Sequence, residues 1–259
     1  MTNYYYLATL LPEIQIGMPV DLDSSEMKTL IRENVTKEDI RKIQTALRYF
    51  DIQNIRAFWK EEPFDPLGNY DPVEMEEMLI TRLGLPDYVY DYMDTYTEVE
   101  ERVANFSKLV GLFFEHEIDQ ADGFMKEYLT LERDWRLIFT AFRAKKLGRD
   151  VAHELQFEAN GNDVVSQIIA QKDAKSYEPP YRYSDMKPIF ETYQDEPLAL
   201  NQALCEYRFK KINEFIGVDL FSIEKILAYI AKLLIAEKWL ALDKQKGMEV
   251  IDHIVKEAS

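Results

Sequence analysis

Few side chains in this sequence could do chemistry, and their spacing works against it. His116, His153 and His253 are the three histidines, far apart along the chain. A helical zinc site needs two histidines one turn apart, and no such pair occurs. The run "EHE", Glu115 to Glu117, sets its acids two positions apart, which does not join them on one helix face. It reads as solvated charges around a histidine. Cys205, the single cysteine, lies in "LNQALCEYRFKKI", where the helical pattern puts it in or near a core. No histidine is close to it in sequence to act as a base. The turns "GRD" and "NGND" lack the lysine and spacing of a phosphate-cradling loop. No catalytic residue, metal ligand or cofactor-binding residue is predicted, and no cofactor.

One acid stands out by where it falls. The stretch "FSIEKILAYIAKLLIAEKWLALDKQKG", Phe221 to Gly247, is the most apolar in the chain. Charged residues interrupt it too often for a membrane span, which needs about 20 predominantly apolar residues. At roughly 100° per residue, Glu224, Lys225, Lys232 and Lys238 gather on one side. Ile226, Ile230, Leu233, Leu234, Leu240 and Ala241 fill the other, and Glu237 falls among them. A carboxylate buried alone costs several kcal/mol, so it must be satisfied. Three arrangements do this: an ion pair with an Arg or Lys of a neighbouring helix, expected first; the N-terminus of a packed helix; or a basic partner protein.

The elements that must position these residues are helical. Only 9 glycines and 10 prolines punctuate 259 residues, and almost none fall inside the periodic segments. Ser24 or Ser25 is expected to cap a helix over "EMKTLIREN". Thr36, Glu38 and Asp39 open a second one, on which Ile40, Ile43, Leu47, Phe50 and Ile55 recur at helical spacing. "KEEPFDPLGNYDP" is a loop. Pro72 and Gly84 bracket the next helix, and Pro86 opens a short one. Thr97 to Leu147 is nearly all helix, with a weak break at "DQADG", and Val151 to Gln171 holds a pair around "EANGND". "KSYEPPYRYSDMKP" is the linker candidate. Two long helices and a short terminal one, "GMEVIDHIVKEA", follow. The opening "YYYLATLLPEI" is too short for periodicity to choose strand or helix. The fold class is all-α.

Composition narrows the partners. Asp and Glu outnumber Lys and Arg 47 to 31, for a formal charge of −16. Nucleic acid is a poor match, because its affinity comes largely from basic residues, and anionic lipid would repel the average surface. A lone cysteine allows no intrachain disulfide. The opening lacks the basic region and cleavage site of a signal peptide, so the expected location is cytoplasmic. The 16 tyrosines and 3 tryptophans include types enriched at protein interfaces.

Two helices look related. "YLTLERDWRLIFTAFRAKKLG", from Tyr128, and "YIAKLLIAEKWLALDKQKG", from Tyr229, both begin on tyrosine, carry an acid before a tryptophan and end on a basic tail with glycine. "YFDIQNIRAFWK" is a weaker echo, with Asp51 in the place of the acid. Similar amphipathic helices share such features, so true internal repetition and mere likeness both stand.

These residues resemble the recurring helix of the central-stalk C (or d) component of V/A-type ATP synthases, which carries a tyrosine, an acid often in a Glu-x-x-Asn pattern, a basic stretch and a glycine. "DIQN", Asp51 to Asn54, matches with aspartate for glutamate. "ERDW" matches at Glu132, with Trp135 replacing asparagine, and "EKWL" keeps only Glu237. The opening "YYYLATLLPEI" is similar to a divergent group encoded beside bacterial V/A-type ATP synthase genes, notably in chlamydiae. The resemblance implies up to three similar helical subdomains in a funnel or wedge, here 1–95, 96–180 and 181–259. It also implies a non-catalytic coupling role, with Asp51, Asn54, Glu132 and Glu237 as buried structural residues. The implied partners are the central-shaft subunits D and F and the membrane rotor ring. The implied place is the inner face of the cell membrane, reached through protein contacts. A free-standing helical adaptor or chaperone is the alternative. A hydrolase whose histidines and acids converge only in space comes third.

Overall fold

A computed structural model describes residues 4–158 and 161–257, with side chains on the last helix described as far as residue 242. Ala159 and Asn160 of "EANGND" therefore lie outside the described residues. The protein is all-α: thirteen α-helices and one 3-10 turn, with no strand among the described residues. In chain order they are α1 (Tyr5–Leu10), α2 (Ser24–Asn34), α3 (Lys37–Trp59), α4 (Pro72–Thr81), α5 (Asp87–Thr95), α6 (Val99–Ala104) and α7 (Phe106–Gln120). Then come α8 (Gly123–Lys146), α9 (Val151–Glu154), α10 (Asp163–Ala170), α11 (Met186–Tyr193), α12 (Pro197–Phe215) and α13 (Ile223–Glu257). No helix among the described residues is long and apolar enough to cross a membrane.

Several ends differ from the sequence expectation. The ambiguous opening is helical. The cap of α2 is Asp23 in place of Ser24 or Ser25: its carboxylate accepts the Glu26 N–H at 2.9 Å while Glu26 accepts the Asp23 N–H at 3.0 Å. Aspartate adds a charge that the positive end of the helix favours, which serine lacks. Pro72 opens α4 as expected, but the helix ends at Thr81, and Arg82 takes the left-handed conformation at φ 57° before Gly84. Gly148 closes α8 at φ 63°. Gly247 closes nothing: α13 runs through it, so "GMEVIDHIVKEA" continues one long helix. A single glycine inside a helix costs only about 1 kcal/mol.

The chain forms two compact units, Met1–Ile40 with Asp185–Ser259, and Arg41–Ser184. The second boundary falls inside "KSYEPPYRYSDMKP". In the first unit its two chain segments meet: the Tyr4 N–H donates to the Phe221 carbonyl at 2.7 Å. There α13 packs on α12 and α1, and α12 packs on α11. Ile226 through Ala231 are all buried, as are Leu233 through Ala236 and Trp239. This segment is thus enclosed on more sides than a single apolar stripe requires, although Ala241, placed on that stripe by the wheel, is exposed. In the second unit α7 and α8 form an adjacent pair, with α5 on α7 and the short α9 and α10 on α8.

Candidate functional site

Asp51 and Asn54 lie one turn apart on α3, and both are buried, at 0% and 1% exposure. They grip the loop between α3 and α4. One Asp51 oxygen accepts the Asn69 backbone N–H, and the other accepts the Asn69 side-chain amide, each at 2.6 Å. Asn54 receives the Asp65 N–H at 2.8 Å and donates to the Asp65 carbonyl at 3.0 Å. Asn69 also donates to the Gln44 carbonyl at 3.0 Å. Gly68 makes the fit possible, since a Cβ there would stand 2.8 Å from both the Asp51 oxygen and the Asn54 amide nitrogen. Burial pushes the Asp51 carboxyl from the ordinary 3.8 up to about 6, against the pull of the Asn69 bonds. A carboxyl held there at the cost of desolvation is a structural brace.

One turn before Asp51, Arg48 donates through Nη1 to both oxygens of Glu117 on α7, at 2.8 Å each. Glu117 is 3% exposed. The reading of "EHE" as solvated therefore holds for Glu115 and His116, which are exposed, and fails for Glu117. The reason is helical phase: Phe113, Phe114 and Glu117 share the inward face of α7. The Tyr88 hydroxyl donates to Glu117 at 3.4 Å, and burial drives its ionisation upward. Burial alone would weaken the Arg48 charge, but the Glu117 carboxylate outweighs it and raises the guanidinium pKa.

On α8, Glu132 is turned toward its own helix. It accepts the Trp135 indole N–H at 3.2 Å and pairs with Arg136 at 3.2 Å. Arg136 in turn lies over the Tyr49 ring at 4.2 Å. Asp134, which no sequence pattern singles out, is a buried acid on α8 that reaches another segment. Its carboxylate accepts the Tyr183 hydroxyl at 2.8 Å and pairs with Arg133 at 2.8 Å.

Glu237 is half-buried and meets no basic side chain among the described residues. It accepts the backbone N–H of Ser24, the first residue of α2, at 2.6 Å. The ion pair expected first is thus replaced by the second arrangement, the N-terminus of a packed helix. The unpaired amides of that terminus attract a carboxylate as a cation would. Nearby, the Tyr229 hydroxyl is buried without a hydrogen-bond partner among the described residues. Burial first, then the Asp21 and Glu237 carboxylates, push it up to about 12.

The second unit also carries an open cleft of about 690 Å³, whose charged lining is Glu115, His116, Asp119, Lys126, Arg133 and Glu158. His116 packs on the Tyr88 ring at 5.1 Å, and burial raises the Glu158 carboxyl against the pull of Arg133. Gathering a histidine with carboxylates is what a spatially assembled hydrolase would need. Among the described residues the lining holds no serine, threonine or cysteine, so the nucleophile of such a hydrolase would have to be a water or one of these acid–base groups. His153 is exposed and does not line it, and the His253 side chain lies outside the described residues. Cys205 is buried beside Asn201 on α12. No group of His, Cys, Asp and Glu among the described residues is arranged to hold a metal ion.

The profile of a family described as "Protein of unknown function (DUF2764)" matches residues 1–258, and the chain belongs to that family. It is 30% identical to an uncharacterized protein of Chlamydia muridarum, in a match that covers 99% of this chain and 98% of the relative. It is 28% identical to one of Chlamydia trachomatis and 29% identical to one of Chlamydia pneumoniae, each over the same shares. No solved structure matches.

Proposed function

We propose that this member of the DUF2764 family is a non-catalytic rotor-stalk component of a V/A-type ATP synthase, standing where the central-stalk C (or d) component stands in that machine. It would join the membrane ring to the shaft subunits D and F, on the inner face of the membrane and through protein contacts alone. The observation that carries this reading is the use made of Asp51 and Asn54. The acid-x-x-asparagine pair on which the resemblance rests is fully buried and braces a loop. Such a brace suits a part that must stay stiff under torque, because close-packed interiors have low compressibility and transmit strain. The chlamydial relatives also suit it, since the resemblance points to a chlamydial group. A charge of −16 would orient the protein against basic surfaces of shaft or ring, adding direction more than affinity.

A tagged chain purified from its own cells tests the proposal. Shaft and ring components are expected in stoichiometric amounts, with the association weakening as salt rises. A free-standing helical adaptor is favoured by the exposed Tyr5, Tyr6 and Leu10 of α1. Under that reading the chain comes away with other proteins and no part of a synthase.

A further inference from the structure

The first unit holds a second cavity, of about 320 Å³, bounded by the segment that follows α1 and by α12 and α13. Its apolar walls come from Ala8, Leu11, Ile14, Phe209, Ile216 and the Tyr229 ring. Two lysines enter it, Lys225 and Lys232. Seven residues apart on α13, they share a face, with about 10 Å between them along the axis at 1.5 Å per residue. Side chains of that length can converge on one group.

Their environment is unusual for so acidic a chain. Both lysines are half-buried, and neither forms an ion pair with a described carboxylate. Lys232 bonds to the side-chain oxygen of Asn213 and lies 5.9 Å from the Phe209 ring centre. Burial and the neighbouring Lys225 charge depress its pKa, while Glu13 works the other way. Among the described residues, Glu13 is the one carboxylate in the lining, and it is exposed. In a protein with 47 acids against 31 bases, two lysines thus share a pocket of mixed polar and apolar lining with a single exposed carboxylate between them and neutrality. Partial burial of an uncompensated charge is costly, and an anion entering the pocket relieves that cost. The cleft of the second unit has the opposite balance, with three carboxylates against two cations in its lining, where this pocket has one against two.

We infer that this cavity binds an anionic amphiphile, a carboxylate or phosphate headgroup on a short hydrocarbon chain. The headgroup sits between Lys225 and Lys232, and the chain lies against Leu11, Ile14 and Phe209. The volume falls at the lower end of small-ligand sites, roughly 300–1,000 Å³, which suits a short chain. The inference is independent of the rotor reading. Such a headgroup comes either from a free amphiphile or from a bilayer lipid.

Titration calorimetry of the whole protein with decanoate tests it. Saturable binding is expected, falling at least tenfold in the Lys225→Gln/Lys232→Gln variant and tightening in Glu13→Gln, with no binding of decyltrimethylammonium. Sedimentation with vesicles separates the sources. Lysine-dependent binding to phosphatidylglycerol but not phosphatidylcholine vesicles assigns the headgroup to a bilayer lipid, and decanoate binding without vesicle binding assigns it to a free amphiphile. Absence of decanoate binding, equal binding of the cationic probe, or unchanged affinity in the double lysine variant overturns the inference. Should the double variant fail to fold, Glu13→Gln and the cationic probe still decide it, since weaker decanoate binding in Glu13→Gln also refutes the site.

Discussion

Asp51 and Glu237 are both acids on long helices, both aligned with the same recurring pattern, and the fold employs them differently. Asp51 is entirely enclosed, takes bonds from Asn69 on both its oxygens, and is joined by Asn54 in holding the loop. Glu237 is half-buried and takes one bond, from the first amide of α2. The difference shows what an acid within a helix does when its desolvation is complete and when it is partial. A fully buried carboxylate must be surrounded by donors, so it organises backbone around itself. A partly buried one can rely on water for the remainder and needs only a helix end.

The comparison breaks most visibly at the ion pair beside the brace. Arg48→Ala would leave Glu117 buried without its cation, and the expected loss is about 3–5 kcal/mol, read by urea unfolding. Arg48→Lys should recover only part of it. A loss under about 1 kcal/mol, the level of a surface pair, would show that Glu117 is hydrated in solution.

Next come the brace residues. Asp51→Ala strands the Asn69 donors and should cost about 3 kcal/mol. Gly68→Ala should do comparable harm without touching the carboxylate, because the added Cβ would meet Asp51 and Asn54 at 2.8 Å. If Gly68→Ala melts like the parent, the loop is not clamped as described.

The Asp51 carboxyl also gives the brace a pH signature. Its folded pKa of about 6 lies above the ordinary 3.8, so between those values the folded state holds a proton that the unfolded state has lost. Stability from this group is therefore full below about pH 4 and declines as pH rises to about 6. At ~1.4 kcal/mol per unit, the total decline is roughly 3 kcal/mol. The slope should be absent from Asp51→Asn when melts are compared across pH 4 to 7. An identical slope in both proteins would assign it to other groups.

The smallest effect belongs to Glu237. Glu237→Ala removes one helix-end bond, and the expected cost is about 0.5–2 kcal/mol. Glu237→Gln keeps an acceptor and should cost less. A loss as large as that of Asp51→Ala would erase the distinction between the two acids.

How far the sequence reaches follows the same line. The helices of the second unit and the loop after α3 are legible because periodicity and three prolines mark them locally. The positions of Asp51 and Asn54 are legible as one face of α3, but their partner Asn69 is not, since nothing distinguishes an asparagine that will be held from one in solvent. Glu117 is hidden within "EHE" because the phase of α7 is set by its partners, and Arg48 lies 69 residues away from it. The partner of Glu237 is a backbone amide, which no side chain announces. Asp134 escapes notice because its hydroxyl donor, Tyr183, lies in the linker region. Gly247 looks like a stop, yet a glycine ends a helix only where the chain has reason to turn.

The proposed role is that of a stiff body that carries motion and performs no chemistry. Membrane vesicles bearing the synthase, prepared with and without this chain, test that most directly by measuring ATP hydrolysis and ion pumping together. The expected result is that hydrolysis by the catalytic subunits persists without the chain while pumping collapses, and that added wild-type protein restores it. Pumping that continues unchanged in vesicles lacking the chain would contradict the account.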